Sequence, residues 1–556
     1  MTCIVSSESP VNNMCGRVPW EKCSKGLPRQ SVTGGLEREA ELWQSFERLM
    51  DALRDRVGKE RLMPTERWLW VEILKLGALL IGWFLALSHE ELEVPASVKR
   101  GRARFVRQRA KPKTVRTLFG KVRYVRDYML RQNGKGGGYS PLDEALGLTQ
   151  DGFTMPVLSF ATQLATKMSY SAATAVLKGF LGWSPSVKSI ERAVLGVGGY
   201  AEDFALRMPP PKGDGEVIVG QVDGKGHPTV RDGEMKKRRK RRKKPGPGKK
   251  KKLKSQRHRG RNKRRTNGPK KRRKAGDKSK NAKVVHVIVL YTLKQDGGRL
   301  VGPLNKRVYI YTGTKRGAIR RMRDLIDRRG FEDNSGKQVQ LVTDGDSIYA
   351  DEIRKCFPHA RHTLDVQHAV EYLWEAAHML YPNNASARAK WAESRKSELV
   401  TDEHQAMFAE LDKRALEFSD TPPKSKNSQQ GETAKKKEKQ PKSARQKFLV
   451  KVDYLKSRQH MMNYHELGTL DLEWGSGVVE GACRYVVGQR FDEGGMRWLR
   501  ERAAPLLHLR TIELNGWWDP FIEHVHDELA ADSRRTKQTP RLLTNIAPPM
   551  PKDKAA

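Results

Sequence analysis

Between Lys236 and Lys274 the chain carries 25 Lys or Arg and no acid. Such a stretch repels itself and holds almost nothing apolar, so it cannot contribute to a core. Apolar runs lie on both sides, Val217–Val222 before it and Val284–Leu293 after it. Any fold must therefore accommodate a long solvated loop between two strands. The run holds more than half of the formal net charge of +43. A charge of that sign makes a polyanion, above all nucleic acid, the expected partner. Each neutralised phosphate releases counterions. Binding through Lys236, Lys237, Arg238, Arg239, Lys240, Arg241 and Arg242 would thus add affinity without sequence information. The bland alternative is a solvated segment or a localisation signal.

At 556 residues the chain is long enough for three or four domains of about 150 residues. Residues 1–38, rich in Ser, Gly and Pro, read as disordered. Residues 39–208 read as a mainly helical N-terminal DNA-binding region, with a basic linker at 98–112. Inside it, alternation at Val115, Thr117 and Phe119, then Val122 and Tyr124, predicts a hairpin near 114–129. Residues 171–194 outline a helix-turn-helix around Gly182-Trp183, with Ser186 as an N-cap and Lys188 placed towards DNA. Ordinary packing of two short helices fits the same pattern.

After Pro209-Pro210-Pro211 the periodicity changes to strands. Residues 212–372 give three strands, a helix, a strand, a helix and a strand, which predicts a mixed α/β sheet interrupted by a disordered basic loop at 233–283. Residues 373–470 turn helical, with a disordered loop at 420–446. Residues 471–528 return to the sheet domain and end in helices, and 529–556 read as a disordered tail.

Five cysteines, odd in number and without a CxxC pair, exclude a disulfide framework and give no support to structural zinc. The N-terminus lacks the pattern of a signal peptide. The most apolar segment, Trp68–Leu87, is interrupted by Glu72 and Lys75. It is predicted to be a buried helix, because its uncharged stretch falls short of the ~20 residues that span a bilayer. An intracellular protein without a membrane partner is expected.

Two predicted strands run into acids: Val217–Val222 into Asp223, and Val339–Thr343 into Asp344. In open α/β sheets, sites form at the carboxyl ends of strands, so Asp223 and Asp344 converge if their strands are neighbours. Glu480 lies on a predicted helix, Ser476–Arg490, flanking an apolar stripe of Val479, Ala482, Cys483, Val486 and Val487. Three hard carboxylates suit Mg²⁺ or Mn²⁺, and two such ions activate an attacking hydroxyl and steady a leaving oxygen. Asp346, two residues beyond Asp344, is an alternative ligand. Trp474, Trp498, Trp517 and Trp518 suit either core packing or stacking on bases.

These blocks together resemble DDE transposases of bacterial insertion sequences, specifically the ISKra family. The matching stretches are Gln221-Val222-Asp223-Gly224, Leu341-Val342-Thr343-Asp344-Gly345, Leu364-Asp365-Val366-Gln367-His368-Ala369, Gly475-Ser476-Gly477-Val478-Val479-Glu480 and Gly495-Met496-Arg497-Trp498. Thr117-Leu118-Phe119-Gly120 and Ser140-Pro141-Leu142-Asp143-Glu144 resemble the family's N-terminal region, and the likeness spans roughly residues 110–520.

The resemblance implies a ribonuclease H-like catalytic domain with a helical insertion before the last catalytic acid. It implies catalysis and metal ligation by Asp223, Asp344 and Glu480, with two Mg²⁺ or Mn²⁺ ions per site. Asp365 and His368 resemble the family's [C/D]xxH motif and would be auxiliary. Arg497 and Trp498 would touch DNA. The implied partners are terminal inverted-repeat DNA and target DNA, bound by a homo-oligomer in the bacterial cytoplasm at the nucleoid. The family's cysteine-bearing knuckle is missing at Arg131–Gly136. Two other readings use the same residues: a ribonuclease H-like nuclease without strand transfer, and a noncatalytic transposase-derived DNA-binding protein.

Overall fold

A computed structural model describes residues 34–132, 137–230, 282–418, 443–492, 498–536 and 538–543. The basic residues 236–242, Arg497 and most of the predicted disordered segments lie outside that set. The chain divides into two compact units, residues 1–197 with 522–546, and residues 198–521 with 547–556.

The first unit opens with α1 (Gly35–Arg54) and α2 (Leu62–Glu91), followed by a three-stranded antiparallel sheet of β1 (Ser97–Arg100), β2 (Ala103–Thr117) and β3 (Gly120–Arg131). The predicted basic linker is thus mostly strand, and the hairpin extends well beyond 114–129. Alternation explains the difference: Ala103 and Phe105 are buried while Arg104 is exposed, and a long cation on the solvent face of a sheet costs little. Helix α1 begins inside the segment read as disordered, and the Glu90 carboxylate accepts the Gly35 N–H at 2.6 Å.

Helix α2 is not the buried helix expected. It is long and apolar enough to cross a membrane by length and composition, and only 28% of its most apolar window is buried. Ala78 and Leu85 pack against Val115, Val122 and Tyr124, whereas Trp70, Ile73, Leu80 and Phe84 remain exposed. Gly77 lets the Phe119 ring approach the helix backbone at the turn between β2 and β3.

Helix α3 (Pro141–Ala145) is capped by Ser140, whose hydroxyl accepts the Asp143 N–H, with Pro141 in its first turn. Asp143 is fully buried and holds the sheet to this turn. Its carboxylate accepts the Tyr124 hydroxyl at 2.5 Å and the Lys113 ammonium at 3.0 Å, and also pairs with Arg126. Asp143→Ala would leave those cations without their counter-charge, so we expect a loss of about 3 kcal/mol, read from the urea midpoint. Helices α4 (Met155–Lys167), α5 (Tyr170–Leu181) and α6 (Val187–Val197) complete this part of the unit. Gly182 ends α5 at φ +72°, a left-handed turn that favours glycine, and the Ser186 hydroxyl accepts the Ser189 N–H at 3.1 Å. Lys188 is exposed on α6.

The second unit begins with α7 (Ala201–Arg207) and is built on a mixed α/β sheet. Its strands are β4 (Val217–Val230), β5 (Ala282–Asp296) and β6 (Arg299–Tyr311), then β7 (Gln338–Thr343) and β8 (Arg361–Leu364). The order is β6-β5-β4-β7-β8; the first three are antiparallel, and β4, β7 and β8 run parallel. Helix α8 (Lys315–Asp327) separates β6 from β7, and α9 (Ser347–Cys356) separates β7 from β8.

A helical stretch follows: α10 (Val366–Leu380), α11 (Ala385–Val400), α12 (His404–Glu417), α13 (Ala444–Lys456) and α14 (Tyr464–Thr469). Helix α13 starts within the segment read as a loop, because Ser443 and Gln446 form a capping box there. Helix α15 (Gly477–Cys483) passes into a π-helical segment, Arg484–Asp492, and a short β9 (Trp498–Leu499) pairs with the far end of β4. Helices α16 (Arg500–Leu514) and α17 (Trp518–Thr536) follow, so the predicted disordered tail is still helical beyond residue 529.

Candidate active site

Strand β4 does not stop at Asp223, contrary to the sequence expectation. Antiparallel pairing with β5 carries it onward, with Asp223 opposite Val287. The parallel pairing with β7 does stop, at Gln221 opposite Val342. Asp223 therefore stands just past the point where β4 and β7 part, on the side where β7 delivers Asp344. Helix α15 brings Glu480. The three carboxylates line one cavity of about 290 Å³, together with Lys225, His368 and Ser476.

Each acid is held differently. Asp223 accepts its neighbour's N–H, from Gly224, at 2.5 Å on one oxygen and the Cys483 thiol at 3.4 Å on the other. Burial and the Asp223 charge push the Cys483 thiol up, so it stays a neutral donor. Asp344 accepts the Asp346 N–H at 3.0 Å, and its backbone carbonyl accepts the Tyr454 hydroxyl at 2.7 Å. Burial, with help from the nearby Asp223 charge, raises the Asp344 carboxyl above its ordinary range. Glu480 is exposed, and its carboxylate meets the Ser476 hydroxyl at 3.3 Å.

Asp346 is engaged elsewhere. It caps α9 by accepting the Ile348 N–H at 3.0 Å and pairs with Lys315. Trp498, read as suiting either core packing or DNA contact, is found packed. It is buried, its ring 4.7 Å from that of Phe491 with the Arg490 guanidinium over it. Trp517 and Trp518 are buried as well. These rings pack against protein.

Asp365 does more than an auxiliary role implied. It is 1% exposed and sits where β8 turns into α10. One oxygen accepts the Ser476 N–H at 3.2 Å; the other accepts the Ser476 hydroxyl at 3.0 Å and His368 Nδ1 at 2.5 Å. Burial alone would raise this carboxyl, but the His368 and Ser476 hydrogen bonds outweigh it and hold Asp365 below the usual range. The same bond to Asp365 lifts His368 to about 9.

A folded-state pKa above the ordinary 6.5 means that the imidazolium supports the fold. That support is complete below about pH 6.5 and lost as pH rises through about 9. The difference in melting temperature between the wild type and His368→Gln should narrow across that window.

The segment carrying Glu480 is anchored by two glutamines that the sequence reading did not single out as site residues. Gln221 on β4 and Gln340 on β7 are both fully buried. Gln221 accepts the Val479 N–H at 3.0 Å and donates to the Gly475 carbonyl at 3.0 Å. Gln340 accepts the Glu473 N–H at 3.0 Å and donates to the Glu473 carbonyl at 2.7 Å. The Val366 N–H reaches the Trp474 carbonyl at 3.0 Å. The available signal was a glutamine inside a β-branched strand run, since a buried amide needs partners.

Among the described residues, Asp365, His368 and Glu480 bring ligand atoms within 4.8 Å of one another and could hold a metal ion. Asp223 and Asp344 face the same cavity without belonging to that group. Both Asp365 oxygens are already occupied by Ser476 and His368, so Asp365 suits support better than ligation. Asp223, Asp344 and Glu480 offer carboxylates, the donor type that hard divalent cations take, to the one cavity they share.

No family model and no curated protein matches the chain. Among solved structures the chain is similar to the Drosophila P element transposase strand transfer complex. The likeness covers 65% of this chain and 92% of that one, at 12% identity and a TM-score of 0.26.

Proposed function

We propose that this chain is a DDE transposase of the ISKra type with a ribonuclease H-like catalytic domain. It would cut at transposon ends to free 3′-OH groups and join them to target DNA. The observation that carries the reading is the meeting of Asp223, Asp344 and Glu480, from three elements far apart in sequence, in one cavity of a strongly basic chain. Residues 373–470 are read as the helical insertion before the last acid, and two ends held together imply a homo-oligomer on DNA at the nucleoid.

Asp223, Asp344 and Glu480 would hold Mg²⁺ or Mn²⁺. Bound there, the cation supplies electrostatic stabilisation of the charge that develops on a phosphodiester. Cys483 orients the Asp223 carboxylate, and Ser476 orients Glu480. Lys225 and Arg484, also at the cavity, are placed to offset phosphate charge. No side chain need form a covalent intermediate with DNA.

The test is strand transfer with pre-cleaved transposon-end duplexes, a supercoiled target and Mg²⁺. Joined products support the reading. Cleavage without joining favours the nuclease, and DNA binding with neither reaction favours the noncatalytic protein.

A further inference from the structure

The pairing of β7 with β8 ends at Thr343 opposite Leu364. Three backbone carbonyls stand at that edge, and each accepts a hydrogen bond from a side chain of the helical stretch. The Tyr454 hydroxyl donates to the Asp344 carbonyl at 2.7 Å, and Arg458 Nε to the Gly345 carbonyl at 2.7 Å. The Tyr464 hydroxyl donates to the Leu364 carbonyl at 2.8 Å. The donors lie 100 to 113 residues further along the chain. Each acceptor belongs to a site acid or adjoins one: Asp344 itself, Gly345 after it, and Leu364 before Asp365.

Gly345 makes the first two contacts sterically feasible. Its φ of +72° falls in the left-handed region that favours glycine. A Cβ at that position would come 2.6 Å from the Tyr454 hydroxyl oxygen and 2.9 Å from Arg458 Nε. Both donors therefore reach the loop only because it carries no side chain there.

The donors are themselves held. The Tyr454 ring stacks on Tyr372 of α10, with centroids 3.7 Å apart and planes 12° from parallel. Lys451 Nζ lies 4.1 Å from the Tyr372 centroid, and the Arg458 guanidinium 3.8 Å from that of Tyr454, each a cation drawn to a ring. Helix α10 is the one that Asp365 caps. The α10–α13 pair thus touches the backbone of Asp344 at one end and the support of Glu480 at the other. Carbonyls at an open strand end are ordinarily satisfied by water. Two side chains of a distant helix spent on consecutive carbonyls fix the loop instead.

We infer that Tyr454 and Arg458 are positioning residues, through which α13 holds the Asp344–Gly345 backbone and so sets the affinity of the cavity for its divalent cation. The inference rests on the metal-dependent reading above.

The test uses the full chain without DNA. Mn²⁺ is the probe, and loss of the electron paramagnetic resonance signal of free Mn²⁺ gives its dissociation constant. Tyr454→Phe keeps the ring stack and removes only the hydroxyl donor. Arg458→Lys keeps a cation and removes the Nε–H. Groups that hold metal ligands in place are worth about 10- to 100-fold in affinity, so each variant should bind Mn²⁺ about 10-fold more weakly. Two controls should bind as the wild type does. Tyr372→Phe preserves the stack, and Lys456→Gln breaks the pair that α13 makes with Asp412 at 2.7 Å.

Wild-type affinity in Tyr454→Phe or Arg458→Lys overturns the role of that residue, whatever its melting temperature. An equal loss in Lys456→Gln also overturns the proposal, because α13 would then act through general stability. A wild-type chain that binds no Mn²⁺, or an Asp223→Asn variant that binds it unchanged, overturns the metal reading on which the inference rests.

Discussion

Asp223→Ala, Asp344→Ala and Glu480→Ala should each abolish DNA cleavage while leaving DNA binding near the wild-type level. Each substitution removes a carboxylate from the shared cavity. Metal-borne charge stabilisation supplies several kcal/mol at a phosphoryl centre. A loss of about 4 kcal/mol is on the order of 10³-fold in rate. Single-turnover nicking of an end duplex measures the rate, and fluorescence anisotropy in EDTA measures binding. Asp346→Ala, by contrast, should act mainly through α9, whose N-terminus it caps. Wild-type excision by any one of the three alanine variants would falsify the assignment of that acid.

The second large effect concerns Asp365. Removal of its carboxylate leaves the Ser476 N–H, the Ser476 hydroxyl and the His368 imidazolium without their acceptor in a buried place. Breaking such a buried charged network costs about 3–5 kcal/mol, so Asp365→Ala is expected to melt much earlier. Asp365→Asn keeps the shape and is the sharper probe. It should fold, yet hold Glu480 less firmly.

The reading there is the Mn²⁺-induced rise in melting temperature, since ligand that binds only the folded state stabilises it in proportion to affinity. We expect the rise to shrink in Asp365→Asn without vanishing. A rise equal to that of the wild type would show that Asp365 does not position the site. Ser476→Ala combined with Asp365→Asn should be less than additive, because both remove one shared contact.

Much of the sheet was legible because its strands announce themselves: β7 over Gln338–Thr343 stands where the apolar run places it. The acids at Asp223 and Asp344 were legible for the same reason, each following such a run. Strand length was not. Polar residues Lys225, His227 and Thr229 hide the continuation of β4, which pairing with β5 enforces. The basic strand β2 was read as linker because charge masked its alternation. The exposed face of α2 escaped notice because an apolar run does not say how many neighbours will cover it. The role of Asp365 could not be read from spacing, since its partner Ser476 is 111 residues away.

The glutamine clasps also bear on the order of events during synthesis. The contacts that seat the Glu480 helix reach back 133 residues to Gln340 and 258 residues to Gln221. A ribosome-bound chain can thus complete β4 and β7, with two acids in place, long before the third exists. On the proposed reading such a chain is chemically silent, and so is any product truncated before the last acid. On that reading cutting power appears only once the segment carrying the third acid has docked onto the two glutamines of the sheet.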